Sequence, residues 1–152
     1  GGWLPTEALE HVASYLDMPK IRVLEVASFY SMFNLEPVGK NFVQLCRTTP
    51  CWLRGSDDLR AVAKDVTGCG LGETSDDGTF TVVEVECLGA CCNAPMVQIN
   101  DEYYEDLTAD SFKAVLEALK RGETPKPGSQ AGRAGSEPTG DRATLTGAGE
   151  GE

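Results

Sequence analysis

Thr79-Phe-Thr-Val-Val-Glu-Val-Glu86, followed at once by Cys87, is the stretch on which the fold turns. Apolar and polar residues alternate and the β-branched content is high, which is the pattern of a strand with one face buried. A second stretch, Asn41-Phe-Val-Gln-Leu-Cys46, alternates in the same way and also ends on a cysteine. Between them, residues 47–55 read as a loop holding Pro50 and Gly55. Ser56 is then placed to cap a helix running to about Val66, with Leu59, Val62, Ala63 and Val66 on one face. The segment from Gly68 to Gly78 is turn-rich, and Gly70-Leu71-Gly72 within it is a turn signal only. Beyond Cys87, residues 96–99 and 102–104 read as a hairpin turning at Asn100-Asp101. A last helix is expected over 109–121, with Phe112, Val115, Leu116 and Leu119 on its apolar side.

The order from residue 41 is therefore β-α-β-β-β-α, and the first strand–helix–strand unit implies a right-handed crossover. This is the element order of a thioredoxin-like α/β domain, an analogy of fold that does not specify function. Upstream, residues 6–17 read as an amphipathic helix that Thr6 can cap. Pro19 ends that helix and opens another over about 20–33. This second helix carries charge at Lys20, Arg22 and Glu25, then Val26, Ala27, Phe29, Tyr30, Met32 and Phe33 spread around its circumference. A helix apolar all round needs cover, so a missing N-terminal segment or a partner chain is expected to complete the bundle. Downstream, Gly and Pro recur from Gly122 onward with almost no large apolar residue, so that segment alone would be disordered and is expected to order along a partner. The expected organisation is a truncated helical bundle over 1–38, the thioredoxin-like domain over 39–121 and an extended tail over 122–152.

Composition narrows the function classes. The chain has 152 residues and a formal charge of −11. Such a charge disfavours nucleic acid and anionic membranes as partners. No stretch approaches the roughly 18 apolar residues of a membrane span, and no signal peptide is visible. The chain begins at Gly1 rather than Met, which reads as a fragment or a processed chain. Its one histidine, His11, sits far from any cysteine motif on a surface-type helix, so a Cys–His nucleophile is disfavoured. Glu84, Glu86, Asp101, Glu102, Glu105 and Asp106 are taken as surface charge.

Six cysteines are many for such a chain, yet too few for a disulfide scaffold. Cys46-Arg-Thr-Thr-Pro-Cys51 is a C-x4-C pair and Cys87-Leu-Gly-Ala-Cys91 a C-x3-C pair, and each begins where a strand ends. If the two strands are neighbours, the loops leave the sheet at one edge and four sulfurs can converge. Thiolates repel one another, so such a group calls for a strong cation. A [2Fe–2S] core takes two thiolates per iron and so matches two separated pairs. Gly89 and Ala90 would let backbone N–H groups approach the sulfurs, Pro50 and Pro95 would stiffen the loops, and Arg47 and Arg54 could add positive potential. Zinc is the rival, since structural zinc sites accept such pairs, although the interval between them exceeds the zinc-ribbon spacing. Plain buried thiols are the third reading. From spacing alone Cys92 is as good a partner for Cys87 as Cys91 is, while Cys69, in a turn-rich segment, reads as a non-ligand.

These residues carry a resemblance. Cys46-Arg-Thr-Thr-Pro-Cys51 and Glu86-Cys-Leu-Gly-Ala-Cys91-Cys-Asn-Ala-Pro-Met-Val-Gln-Ile-Asn100 closely resemble the NuoE family, the small [2Fe–2S] subunit of the NADH-dehydrogenase module of respiratory complex I (NADH:quinone oxidoreductase). Ile21 to Phe33, Tyr103 to Thr108 and the tail segment Gly132-Arg133 to Ser136-Glu137-Pro138 are similar to it as well, and the likeness runs from about Gly2 to about Leu145. Gly140-Asp141-Arg142 departs from the Gly-Gly usual there.

The resemblance implies one [2Fe–2S] cluster with Cys46, Cys51, Cys87 and Cys91 as ligands, since the position of Cys92 is usually apolar in the family. It implies one-electron exchange with the FMN of a partner flavoprotein that binds NADH, beside the main iron–sulfur path, and a second partner in the large iron–sulfur subunit. FMN and NADH are expected on the partner alone, because this chain has no G-x-G-x-x-G fingerprint and no P-loop. The expected setting is the bacterial cytoplasm, at the inner membrane through the complex, with the mitochondrial matrix as the alternative. Other readings are the equivalent subunit of an NAD-linked hydrogenase or formate dehydrogenase, and a zinc-stapled interaction module.

Overall fold

A computed structural model of the chain describes residues 2–138. The chain forms two compact units, Gly1–Gly39 and Lys40–Glu152. The Gly140-Asp141-Arg142 departure, and the likeness as far as Leu145, lie outside the described residues.

The first unit is a helical hairpin of α1 (Thr6–Tyr15) and α2 (Lys20–Phe29). Pro5 and Pro19 stand at the N-cap positions, so Thr6 is the first helical residue rather than the cap. Asp17 takes a positive φ of 49° between the helices. Ala13, Val23 and Ala27 are the buried residues, small side chains that let the helices meet closely. The backbone N–H of Leu4 donates to Asn34 at 2.8 Å and the Asn34 side chain returns a bond to the Gly2 carbonyl at 2.9 Å, tying the two ends together. The second helix ends at Phe29, earlier than the apolar run suggests. At Tyr30 the backbone becomes extended, and Phe33 closes a turn back onto Tyr30. Within this unit Val12, Leu16, Ile21, Val26, Phe29 and Met32 remain exposed, so the expected excess of apolar surface is present.

The second unit is built on a sheet of order β2-β3-β1-β4-β5-β6. Its strands are β1 (Asn41–Cys46), β2 (Glu73–Thr74), β3 (Phe80–Val85), β4 (Val97–Ile99), β5 (Glu102–Glu105) and β6 (Gly128–Ser129). The alternation of the two deciding stretches is the reason for β1 and β3. Val43, Leu45, Phe80 and Val82 are fully buried, while Phe42 and Gln44 between them are half-buried. These strands pair in parallel, with Cys46 opposite Val85. β4 joins β1 antiparallel, and the β4–β5 hairpin turns at Asn100, where φ is 54°.

Helices α4 (Ser56–Thr67) and α5 (Ala109–Lys120) complete the core with Leu59, Ala63, Phe112, Val115 and Leu116. Phe112 is 0% exposed, a ring whose truncation to Ala costs about 3–5 kcal/mol. A reciprocal cap opens α5: Ser111 N–H donates to the Thr108 hydroxyl at 3.1 Å, and Thr108 N–H to the Ser111 hydroxyl at 2.9 Å. The expected β-α-β-β-β-α order is thus present, with four differences, the first being the short strand β2 inside the segment read as turns. Residues 47–55 are not all loop, because α3 (Thr49–Leu53) forms one short helix with Pro50 tolerated in its first turn. Gly55, at φ 94°, holds the N-cap position that Ser56 was expected to hold. The described part of the segment after Gly122, as far as Pro138, is tied to its own unit through β6, which pairs in parallel with β5 at Tyr104 and Glu105.

Candidate metal centre

The parallel register of β1 and β3 places the site. Cys46 ends β1 opposite Val85, and Cys87 follows two residues later, so both cysteine loops leave the same end of neighbouring strands. Cys51 lies on α3 and Cys91 opens a short 3₁₀ turn, Cys91–Asn93. Cys46 and Cys51 are 2% and 1% exposed, packed with Ala94 and Met96 in a small cluster of their own, whereas Cys87 and Cys91 are exposed. All six cysteines are free thiols.

The sulfurs come as two pairs in contact. Cys87 Sγ lies 3.4 Å from Cys91 Sγ, and Cys46 shares a side-chain hydrogen bond with Cys51. The pairs also act on each other: Cys51 and Cys91 are coupled electrostatically, as are Cys46 and Cys87. The structure therefore brings Cys46, Cys51, Cys87 and Cys91 to one place. Two thiol pairs fit the two irons of a [2Fe–2S] core better than one tetrahedral zinc.

The surroundings favour thiolate unequally. Burial works against ionisation of Cys46, but the Thr48 hydroxyl at 3.5 Å, the backbone at Leu88 and Thr48, and Cys51 outweigh it and hold this thiol below its ordinary value. Its neighbour Cys51 is pushed up to about 12, first by burial and then by the bond to Cys46. Cys87 is lowered chiefly by the Gly89 N–H, which points at its sulfur at 3.4 Å, then by Cys91 and Thr48. Gly89 reaches that position at φ 86°, a region open to glycine. Cys91 is raised by its bond to Cys87 and by burial. Each pair thus has one thiol held below its ordinary value and one held above it, and a bound cation would favour the thiolate of both.

Cys69 is elsewhere, 4% exposed in the main core, with its sulfur 3.1 Å from the Thr67 hydroxyl. Cys92 is exposed next to Cys91. Arg47, expected to lend positive potential, is engaged by Glu84 at 2.9 Å and Asp57 at 3.1 Å. The Nε–H of Arg54 reaches the Ala94 carbonyl at 3.5 Å. Asp106 corrects the reading of that residue as surface charge. Its side chain is 9% exposed and paired with Arg133, and the neighbouring Glu105 accepts a bond from Asn93 at 2.7 Å. Sequence reasoning also missed Tyr103, whose hydroxyl donates to the Leu88 carbonyl at 2.8 Å, inside the second cysteine loop. Thr48 could have been found from its place inside the first cysteine motif. Tyr103 and Arg133 lie in segments that carry the family resemblance, but nothing local to them signals these contacts.

Likenesses to known proteins bear on this site. The family model for the thioredoxin-like [2Fe–2S] ferredoxin matches residues 1–120. One of the E subunits of NADH-quinone oxidoreductase, that of Rickettsia bellii, is 57% identical over 120 residues, which is 79% of this chain and 72% of that protein. The mitochondrial NADH dehydrogenase [ubiquinone] flavoprotein 2 of Dictyostelium discoideum is 47% identical over 145 residues, 95% of this chain and 59% of that protein. Among solved structures, an NAD⁺-reducing [NiFe]-hydrogenase superposes with a TM-score of 0.70 at 21% identity, over 76% of this chain and 20% of that chain. That last likeness concerns the fold alone.

Proposed function

This chain belongs to the thioredoxin-like [2Fe–2S] ferredoxin family, among the E subunits of NADH-quinone oxidoreductase, and from that premise we propose that Cys46, Cys51, Cys87 and Cys91 are the ligands of its cluster. The chain is an electron-transfer subunit of a multi-subunit oxidoreductase complex. The observation that carries the ligand assignment is the meeting of two thiol pairs at one end of the paired strands β1 and β3. Cys46 with Cys51 would hold the inner iron, and Cys87 with Cys91 the outer one.

When bound, the cluster supplies one reversible one-electron couple. The chain's own residues set the conditions for it. Cys46 and Cys51 are closed off from solvent, and the apolar packing of Ala94 and Met96 excludes water behind them. The Gly89 N–H and the Thr48 hydroxyl face sulfur and offset the negative charge of bound thiolates. The exposed edge at Cys87 and Cys91 is the side from which an electron can arrive. Trp52 and Leu53, 55% and 70% exposed directly after Cys51, offer apolar surface near that edge.

The reading extends to partners and place. The donor is an NADH-oxidising flavoprotein subunit carrying FMN, seated over the sulfur edge, with the large iron–sulfur subunit in the same assembly. No helix among the described residues is long and apolar enough to cross a membrane. The proposed setting is the cytoplasmic face of a bacterial inner membrane, reached through the complex, or the matrix face in a mitochondrion.

The test is spectroscopic. Anaerobically purified protein should be red-brown and give a paramagnetic signal on reduction. Ser in place of Cys46, Cys51, Cys87 or Cys91 should each abolish the native signal, while Cys69→Ser and Cys92→Ser keep it. Full iron retention in Cys87→Ser would refute the assignment. For the partner, Trp52→Asp should release the flavoprotein subunit from the tagged chain in pull-down from its host, and undiminished recovery would remove the proposed docking edge.

A further inference from the structure

The tail folds back onto the second cysteine loop through one arginine. Ser129, on β6, sends its hydroxyl to Asp106 Oδ2 at 2.6 Å and receives the N–H groups of Ala131 and Arg133, both at 3.2 Å. This turn points Arg133 inward. Its Nε–H donates to Asp106 Oδ2 at 2.9 Å and its Nη2–H to Asp106 Oδ1 at 2.5 Å, a forked pair. Nη1 donates to the Glu137 carbonyl at 2.8 Å, and Nη2 also donates to the Cys92 carbonyl at 2.8 Å. The two side chains are only 10% and 9% exposed. A pair so enclosed is costly to desolvate unless its remaining donors are used, and here they are used on backbone.

The other contacts converge on the same loop. Asn93 donates to the Gly135 carbonyl at 2.7 Å. The N–H of Asp106 donates to the Asn93 carbonyl at 2.7 Å and that of Leu107 to the Pro95 carbonyl at 3.0 Å. The segment from Cys91 to Pro95 is therefore gripped by Asp106–Leu107 on one side and by Arg133–Gly135 on the other. A tail latch alone would need no cation at the carbonyl next to Cys91. Of the forked pair, the guanidinium is the member that reaches that carbonyl, while both Asp106 oxygens are taken by Arg133 and Ser129.

We propose that Arg133 is a positioning residue for the cluster: it fixes the Cys91 loop and sets the reduction potential upward by holding a positive charge against the Cys92 carbonyl, with Asp106 opposing it. This rests on Cys91 being a ligand. Reduction adds one negative charge to the site, so a nearby cation stabilises the reduced form and a nearby anion destabilises it.

The experiment is a redox titration of the cluster-loaded full chain, followed by its paramagnetic signal. Arg133→Gln should lower the midpoint potential. Asp106→Asn should raise it. The double variant, which leaves no unpaired buried charge, should fall between the two. A second readout is the rate at which a chelator removes iron, which Arg133→Gln should increase. Shifts of the same sign in the two single variants would mean that the pair is only a latch, and coinciding midpoints in all four proteins would overturn the proposal. If Arg133→Gln does not accumulate, Asp106→Asn still decides by its sign, and Arg133→Lys, which keeps the charge but not the fork, should hold the midpoint near the parent while losing iron faster. Cys91→Ser separates the two levels: a native cluster retained there would refute the ligand assignment, whatever Arg133 does.

Discussion

The Thr48 hydroxyl lies 3.5 Å from the sulfur of Cys46 and also favours the thiolate of Cys87, so one side chain serves both cysteine loops. A cysteine sulfur bound to iron has no proton to give, and the hydroxyl must therefore be the donor. Hydrogen bonds to cluster sulfur raise the potential. Thr48→Val, nearly isosteric, should lower the midpoint by about 40 mV, taking about 1 kcal/mol for the lost bond and one electron. Redox titration of parent and variant checks this, and an unchanged midpoint would mean that the hydroxyl turns elsewhere when the cluster is present.

Gly89 directs its N–H at Cys87 from a φ of 86°, and a Cβ added there would meet nothing within 4 Å. The cost of Gly89→Ala is therefore conformational, about 1–2 kcal/mol. The variant should lose iron to a chelator faster and unfold at lower denaturant concentration. Gly89→Asn should suffer less, because Asn enters the left-handed region more readily. Equal behaviour of the Ala variant and the parent in both assays would contradict this account.

Tyr103 holds the Leu88 carbonyl from the neighbouring hairpin. Tyr103→Phe keeps the ring and removes only the hydroxyl, leaving that carbonyl short of a partner at a cost of about 1 kcal/mol. Amide exchange should speed up in the segment from Cys87 to Cys91 and stay unchanged in α5. A uniform change across the domain would point to global destabilisation instead.

The Asp106 carboxyl responds to pH in a defined direction. Burial raises its pKa, but the bonds from Arg133 and Ser129 outweigh burial and hold it below the ordinary 3.8. The stability it contributes is thus complete above the unfolded-state value and is lost as pH falls through the lower folded value. As pH falls through and below the ordinary carboxylate range, the parent's unfolding free energy should fall more steeply than that of Asp106→Asn, by at most about 1.4 kcal/mol per pH unit. Denaturation series across that range measure the difference, and parallel curves would exclude a role for this carboxyl.

The parts of the fold that were legible in the sequence are those where side chains repeat. The alternation in 41–46 and 79–86 marks β1 and β3, and the helical spacing of Phe112, Val115, Leu116 and Leu119 marks α5, because each repeat places one face in the core. Features made by backbone or by distant partners left no such trace. α3 is only five residues long, too short to show a period. β6 is Gly128–Ser129, a pairing carried by peptide groups alone. Arg133 and Asp106 are an ion pair only because the tail turns back at Ser129.

The site was half legible. Strand ends on Cys46 and just before Cys87 anticipated where the sulfurs meet, yet spacing alone could not separate Cys91 from Cys92. In the structure the Cys91 sulfur faces Cys87 at 3.4 Å, whereas Cys92 turns its carbonyl to Arg133.

The unequal depth of the two thiol pairs gives damage a direction. Oxidants and chelators arriving from bulk water meet Cys87 and Cys91 first, while Cys46 and Cys51 lie sealed beneath them. In the chain by itself, attack on this centre is therefore expected to start from the outer pair, and seating a partner over that edge would close the approach.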